Sequence, residues 1–198
     1  MGVSPMRYLC MGETPMPRNV KSPSFVPHPS PCYVLALMII GLLGDTHGRT
    51  QPMADAMKLL AAAGAQHYIH TGDVGAVEIL DYLAGVPSAF VFGNNDWDRA
   101  SMSRYAEKIG VSCYGNFADL TLDNKRIAVI HGDDPKLKQR ILADQQFDYL
   151  FQGHTHIRKD EKIGRTRLIN PGALHRTAQK TVATVDTQTD KVQFHVLS

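Results

Sequence analysis

Several features are scarce in this chain, and each scarcity excludes something. There are three cysteines, Cys10, Cys32 and Cys113, with no Cys-x-x-Cys spacing and no even number to pair. That excludes a disulfide framework and a thiolate zinc site, and it fits a reducing, cytoplasmic setting. Charge of one sign is lacking too: 21 Lys and Arg stand against 19 Asp and Glu, for a formal charge of +2. Such a balance provides no basic face for a nucleic-acid polymer or an anionic membrane. Nor does any apolar run reach the ~20 residues a membrane-spanning helix requires. The longest is Cys32 to Leu43, twelve residues. Arg18 and Lys21 precede it, as in a signal peptide, but a cut beyond the run would fall at Asp45, where the chemistry begins. No internal repeat breaks the 198 residues, a length suited to one domain with a sizeable core.

Proline is abundant in one place only. Residues 5 to 31 hold seven: Pro5, Pro15, Pro17, Pro23, Pro27, Pro29 and Pro31. No helical or strand period runs through them, which is linker composition. The expectation is that residues 1–37 stand outside the fold, either as a disordered tail or as a non-native N-terminal extension with Met38 as the natural start. The fold then occupies residues 38–198.

From Met38 the pattern becomes regular. Met38 to Leu43 is continuously apolar, as in a buried parallel strand. A helix over Pro52 to Ala63, a strand over His67 to His70, a helix over Val77 to Leu83 and a strand over Ser88 to Phe92 follow. Next come a helix over Ser101 to Ile109, a hairpin of Phe117–Leu122 and Lys125–Ile130, a helix over Lys136 to Gln145 and a strand over Phe147 to Phe151. The end is strand-rich, with Thr166–Ile169, Thr181–Asp186 and Val192–Leu197. Alternation followed by strands predicts an α/β fold with two packed sheets and helices outside.

Nine histidines are present, and five short pieces collect four of them with five Asp and Asn residues: Asp45-Thr46-His47-Gly48, Gly72-Asp73, Gly93-Asn94-Asn95-Asp96, His131-Gly132 and Gly153-His154-Thr155-His156. Each stands at or just past the end of an apolar run. In open α/β sheets, ligands bind beyond the carboxyl ends of the strands, so five such pieces predict one convergent site. Asp, Asn and His are the oxygen and imidazole donors of divalent metals. Asp45 and His47, two apart on an extended backbone, would aim their side chains the same way. Asp73 has two oxygens and can serve two cations; Asn94 offers a neutral oxygen, and His131, His154 and His156 offer imidazoles. Two carboxylates against two divalent cations leave a positive surplus that attracts an anionic phosphate ester. Taken singly, each piece also has a plain reading: Gly72-Asp73 or Asn94-Asn95 as a turn, His131 as a satisfied core histidine. His28, His67 and His195 lie outside the pieces and read as structural or surface residues.

The series, together with Asn170-Pro171-Gly172, resembles the calcineurin-like metallophosphoesterase superfamily, and within it the small bacterial and archaeal phosphodiesterases of the YfcE type. The resemblance implies a four-layer α/β/β/α sandwich of two mixed sheets flanked by helices. It implies that Asp45, His47 and His156 hold one metal, that Asn94, His131 and His154 hold a second, and that Asp73 bridges them. It also implies a bridging hydroxide that attacks phosphorus, manganese as the leading metal with nickel, iron and zinc as alternatives, a small phosphoester substrate, and pairing into a homodimer. Asp73, Asn95, Asp96 and His131 become the catalytic residues. Asn95 departs from the pattern, since many relatives carry a histidine there. An amide donates a hydrogen bond but is no general acid, so a preference for good leaving groups follows. His70 and His175 are substitute proton sources to examine, Asp96 is expected to brace a ligand histidine, and Arg99, Arg104 and Arg176 could contact phosphate or simply be surface residues. Two alternatives stay open: a phosphomonoesterase acting on a nucleotide or small metabolite, and a non-catalytic, protein-binding scaffold of the Vps29 kind.

Overall fold

A computed structural model describes residues 38–197. Residues 1–37, with Cys10, Cys32, His28 and the proposed extension, lie outside the described residues. Two sheets carry the structure. The first is built from β1 (Ile39–Leu43), β2 (His67–His70), β3 (Ser88–Phe90), β4 (Ser112–Cys113), β10 (Thr181–Asp186) and β11 (Lys191–Val196), in the order β11-β10-β1-β2-β3-β4. The second holds β5 (Phe117–Leu122), β6 (Lys125–Ile130), β7 (Tyr149–Phe151), β8 (Lys159–Ile163) and β9 (Thr166–Asn170), in the order β5-β6-β7-β9-β8.

Strand alternation builds the layers. In β1, Ile40 and Leu42 face the second sheet, while Leu43 packs toward the helices. In β6, Ile127 and Val129 meet that same inter-sheet core, and Ala128 and Ile130 turn outward to α3 (Pro135–Asp144). The first sheet's outer face is covered by α1 (Thr50–Ala62), which buries Met53, Ala56 and Leu60, and by α2 (Arg99–Ile109), which buries Met102 and Ala106. The result is the four-layer α/β/β/α sandwich with two mixed sheets. Caps fix the helix starts: Asp98 accepts from Ser101 N at 3.1 Å, and Asp134 accepts from the amides of Lys136 and Leu137 with Pro135 in the first turn.

Three local features go beyond the sequence pattern. The expected helix over Val77–Leu83 is a 3-10 helix. Its apolar residues Val77, Leu80 and Leu83 recur every third position, and a three-residue turn stacks them on one side. The strand β8, sequence Lys-Asp-Glu-Lys-Ile, has no apolar alternation because it is an exposed edge. It forms by pairing with β9 across Gly164-Arg165. The two-residue β4 is too short to leave a pattern. Among the described residues, no helix is long and apolar enough to cross a membrane.

The topology brings the loops together. β1, β2 and β3 are parallel neighbours, as are β6, β7 and β9. Their carboxyl ends therefore open on the same side of each sheet, and the loops continue the pairing: Asp45 N donates to Gly72 O at 3.0 Å, His47 N to Asp73 O at 2.9 Å, and Gly153 N to His131 O at 2.8 Å.

Candidate metal centre

The loops that follow these strands are not extended. Asp45, His47, Asp73, His154 and His156 all have left-handed backbones, with φ of 52°, 48°, 54°, 69° and 58°. The expected pleat geometry for Asp45 and His47 is thus corrected: turning, rather than alternation, aims both side chains inward. For non-glycine residues such a conformation costs on the order of 1–3 kcal/mol each and persists only where the surroundings impose it. Five of them in one cluster mark a site at which side-chain direction outweighs backbone comfort.

The cluster contains all seven residues expected as ligands. Ligand atoms of Asp45, His47 and His156 lie within 4.8 Å of one another, as do those of Asp45, Asp73 and His131. His156 Nε2 is 3.2 Å from Asp45 Oδ1. Asp73 Oδ2 stands between the two groups, 3.5 Å from His47 Nε2 and 3.4 Å from His131 Nε2. Asn94 Oδ1 joins the remainder, 3.1 Å from His131 Nε2 and 3.1 Å from His154 Nδ1.

The donor set fits divalent cations. His131 Nδ1 lies 2.9 Å from the Thr71 carbonyl, to which it donates. A neutral ring then turns its Nε2 lone pair toward Asn94 Oδ1 and Asp73 Oδ2, which are acceptors as well. Acceptors converging in this way need a cation or a proton among them, and a ring fixed through its far nitrogen is how proteins hold imidazole ligands. His47 Nε2 is likewise buried with no hydrogen-bond partner. The electrostatics show the same demand for positive charge, which a proton on His131 Nε2 meets where no cation does. Burial, with the charge of Asp73 adding to it, lifts the Asp45 carboxyl to about 6 despite His131 and His156 nearby. Burial also acts to raise Asp73, but hydrogen bonds from His131 and Asn95 outweigh it and hold the group well below the usual carboxylate range. For His131, burial opposes the charged form, while the hydrogen bond to Asp73 and its charge prevail and raise the ring above its ordinary value.

Around this cluster several expectations are revised. Asp96 braces no histidine: its carboxylate accepts from Gly75 N and Gly93 N, each at 2.8 Å, and ties two site loops together. Asn95 donates to Asp73 twice, through its backbone N and its Nδ2, both at 2.8 Å. His70 is fully buried, accepts from Gly72 N at Nδ1 and lies 2.6 Å from Thr46 Oγ1 at Nε2, so it braces the loops and cannot deliver protons. His175 does lie at the site, edge-on to His47 with ring centroids 5.6 Å apart. Arg99 is committed to the structure, donating to Gly93 O, Asp96 O and Asn116 Oδ1 and lying over the Phe92 ring. Arg104 donates to Ser101 Oγ, and exposed Arg176 sets its carbonyl 3.4 Å from His156 Nδ1.

Close approach explains two glycines. A Cβ on Gly93 would stand 2.1 Å from Asp73 Oδ1, and one on Gly153 would stand 2.7 Å from Asp45 Oδ2. The sequence reading had not assigned roles to Thr71, Thr46 or Asn170. Asn170 donates to Gly153 O at 2.8 Å and to Thr155 Oγ1 at 3.1 Å, bracing the loop that carries His154 and His156. Its place in Asn170-Pro171-Gly172 was the available signal.

Residues 38–190 match the calcineurin-like phosphoesterase superfamily domain. The chain belongs to this superfamily. Solved structures of the superfamily fold resemble it throughout the described region. One, of a novel archaeal phosphodiesterase, has a TM-score of 0.75 at 23% identity, covering 81% of this chain and all (100%) of that one. The Escherichia coli phosphoesterase YfcE has a TM-score of 0.58 at 19% identity, with coverage of 81% and 100%. Vps29 from Entamoeba histolytica, complexed with zinc, has a TM-score of 0.56 at 19% identity, with coverage of 81% and 100%. At these identities the likeness is one of fold. No curated protein matches the chain.

Proposed function

We propose that this calcineurin-like chain is a binuclear-metal-dependent phosphoesterase that hydrolyses a small phosphodiester. Asp45, His47 and His156 would hold one divalent cation, Asn94, His131 and His154 a second, with Asp73 between them. The observation that carries this reading is the meeting of acceptors at His131 Nε2, Asn94 Oδ1 and Asp73 Oδ2, with the ring's only neutral-state proton committed to Thr71 O. Imidazoles mixed with carboxylates suit manganese, iron, nickel or zinc more than an all-oxygen magnesium site. When bound, such cations supply Lewis acidity to a phosphoryl oxygen and lower the pKa of water.

The chain's own residues set the rest. Thr71 orients His131, Asp96 locks the loops of Asp73 and Asn94, and Asn170 holds the loop of His154 and His156. Asn95, bound to Asp73 and without an acidic proton, gives the departing oxygen no proton, and burial together with the charges of Arg49 and Arg176 holds His175 below its ordinary value, in the form that has no proton to give. The favoured substrates are therefore esters whose alcohol leaves as a stable anion.

A screen of aryl phosphodiesters and monoesters across manganese, nickel, zinc and magnesium tests the reading. Diester hydrolysis that disappears in Asp73→Asn, together with loss of bound metal, is expected. Faster cleavage of the monoester would assign the chain to phosphomonoesterases. Two metals bound with neither ester cut would sink the enzymatic reading and favour a protein-binding scaffold on the fold shared with Vps29.

A further inference from the structure

Two large apolar side chains stand in solvent on the loops that carry the acceptor cluster. Trp97, the single tryptophan of the chain, is 86% exposed, and Ile157 is 69% exposed. Trp97 lies three residues beyond Asn94 and Ile157 three beyond His154, and the two loops touch where Asn94 Oδ1 meets His154 Nδ1 at 3.1 Å. Three residues span at most about 11 Å of chain. Both side chains are thus within the reach of a substituent on a phosphate held between these loops.

The backbone under Trp97 is anchored on both sides. The Asp96 carboxylate is held by Gly75 N and Gly93 N, and the Asp98 carboxylate accepts from Ser101 N at the start of α2. With the backbone fixed, the freedom lost when something stacks on the indole is confined to its two side-chain torsions. Its flat π-face takes aryl rings and nucleobases alike.

We propose that Trp97 is a specificity-determining platform that stacks a flat aromatic arm on the retained side of the phosphodiester, an aryl ring or a nucleobase, with Ile157 adding apolar contact from the adjoining loop. The inference rests on the phosphoesterase reading above. Three diesters with one leaving group test it: methyl, phenyl and thymidine 5′ esters of p-nitrophenyl phosphate. An aromatic contact of this kind predicts a preference of about 2- to 10-fold in kcat/KM over the methyl ester, expressed in KM. Preference for the phenyl arm alone identifies an aryl source, and preference for the thymidine arm alone a nucleobase. In Trp97→Ala the ratio falls to near one, and in Trp97→Phe most of it survives. An unchanged ratio in Trp97→Ala, or an equal fall for all three esters, overturns the proposal. Indole fluorescence reads the contact directly, because no other tryptophan contributes. Phenylphosphonate is expected to change the emission of metal-loaded protein and methylphosphonate to leave it as it was; equal or absent responses overturn the proposal. If none of the esters is cut, the phosphoesterase reading fails, and the two phosphonates still decide whether Trp97 stacks an aromatic arm.

Discussion

His70 offers a quantitative test of how the site loops are held. Its Nδ1 accepts from Gly72 N, so the remaining proton sits on Nε2 and is donated to Thr46 Oγ1 at 2.6 Å. One buried ring thereby links the loop of Asp45 and His47 to the loop of Asp73. Replacing it in His70→Phe fills a similar space and leaves the Gly72 N–H and the Thr46 hydroxyl without that partner. Each orphaned group costs about 1–3 kcal/mol, less where the hydroxyl can rotate, so a loss of about 2–4 kcal/mol is expected near neutral pH. At roughly 2–4 °C per kcal/mol for a domain of this size, Tm falls by about 5–15 °C. The pH dependence is more specific. Burial, with His131 adding to it and Asp73 opposing, pushes the His70 ring down to about 3. An unfolded histidine titrates near ~6.5. Between these values the unfolded chain binds a proton that the folded chain does not, so the stability due to His70 falls as pH drops below ~6.5, by about 2 kcal/mol at pH 5. The Phe variant has no such dependence. Asp45, raised by burial to about 6, has the opposite sign, its contribution falling as pH rises, but it is common to both proteins and cancels in the difference. Urea unfolding of metal-stripped wild type and His70→Phe at pH 7.5, 6 and 5 should show the gap closing with acid. A gap that stays constant, or a variant as stable as wild type at pH 7.5, would refute the reasoning.

Two further substitutions probe the site. In Gly93→Ala the new methyl would stand 2.1 Å from Asp73 Oδ1, so Asp73 or its loop must shift. Overpacking of this kind costs about 1–3 kcal/mol, and metal affinity, measured by competition with a chromophoric chelator, should fall while helix content by circular dichroism is kept. Wild-type affinity in this variant would show that Asp73 does not need its present position. Asn95→His restores an ionisable proton donor, and general acids typically contribute about 10²–10⁴-fold. The rate on alkyl leaving groups should rise relative to p-nitrophenolate by at least about tenfold; an unchanged ratio would mean that the leaving group is already assisted from elsewhere.

The strand-helix alternation and the polar pieces at strand ends were legible because buried parallel strands are continuously apolar and their ends are abruptly not. All seven expected ligand residues meet in one cluster for that reason. What escaped was set by tertiary context. The β8 strand is charged throughout and exists only because β9 offers it hydrogen-bond partners. The left-handed turns at Asp45, His47, Asp73, His154 and His156 have no glycine at the turning residue to announce them. The roles of Asp96, Asn95 and His70 depend on which groups lie opposite, the Gly75 amide, the Asp73 carboxylate and the Thr46 hydroxyl, across 21, 22 and 24 residues of sequence. No local pattern encodes such distances, and Asp96 therefore read as a histidine's partner when its carboxylate serves two loop amides.

The central claim, that two divalent cations held by this cluster are needed for ester cleavage, is tested most directly by titrating metal-stripped protein with manganese while following bound metal and cleavage of bis(p-nitrophenyl) phosphate together. The account predicts little cleavage up to one equivalent, a rise as the second binds, a plateau at two, and neither binding nor cleavage on that scale in Asp73→Asn. Full activity with one equivalent bound, or two equivalents bound with no cleavage of the diester or its monoester, would contradict it.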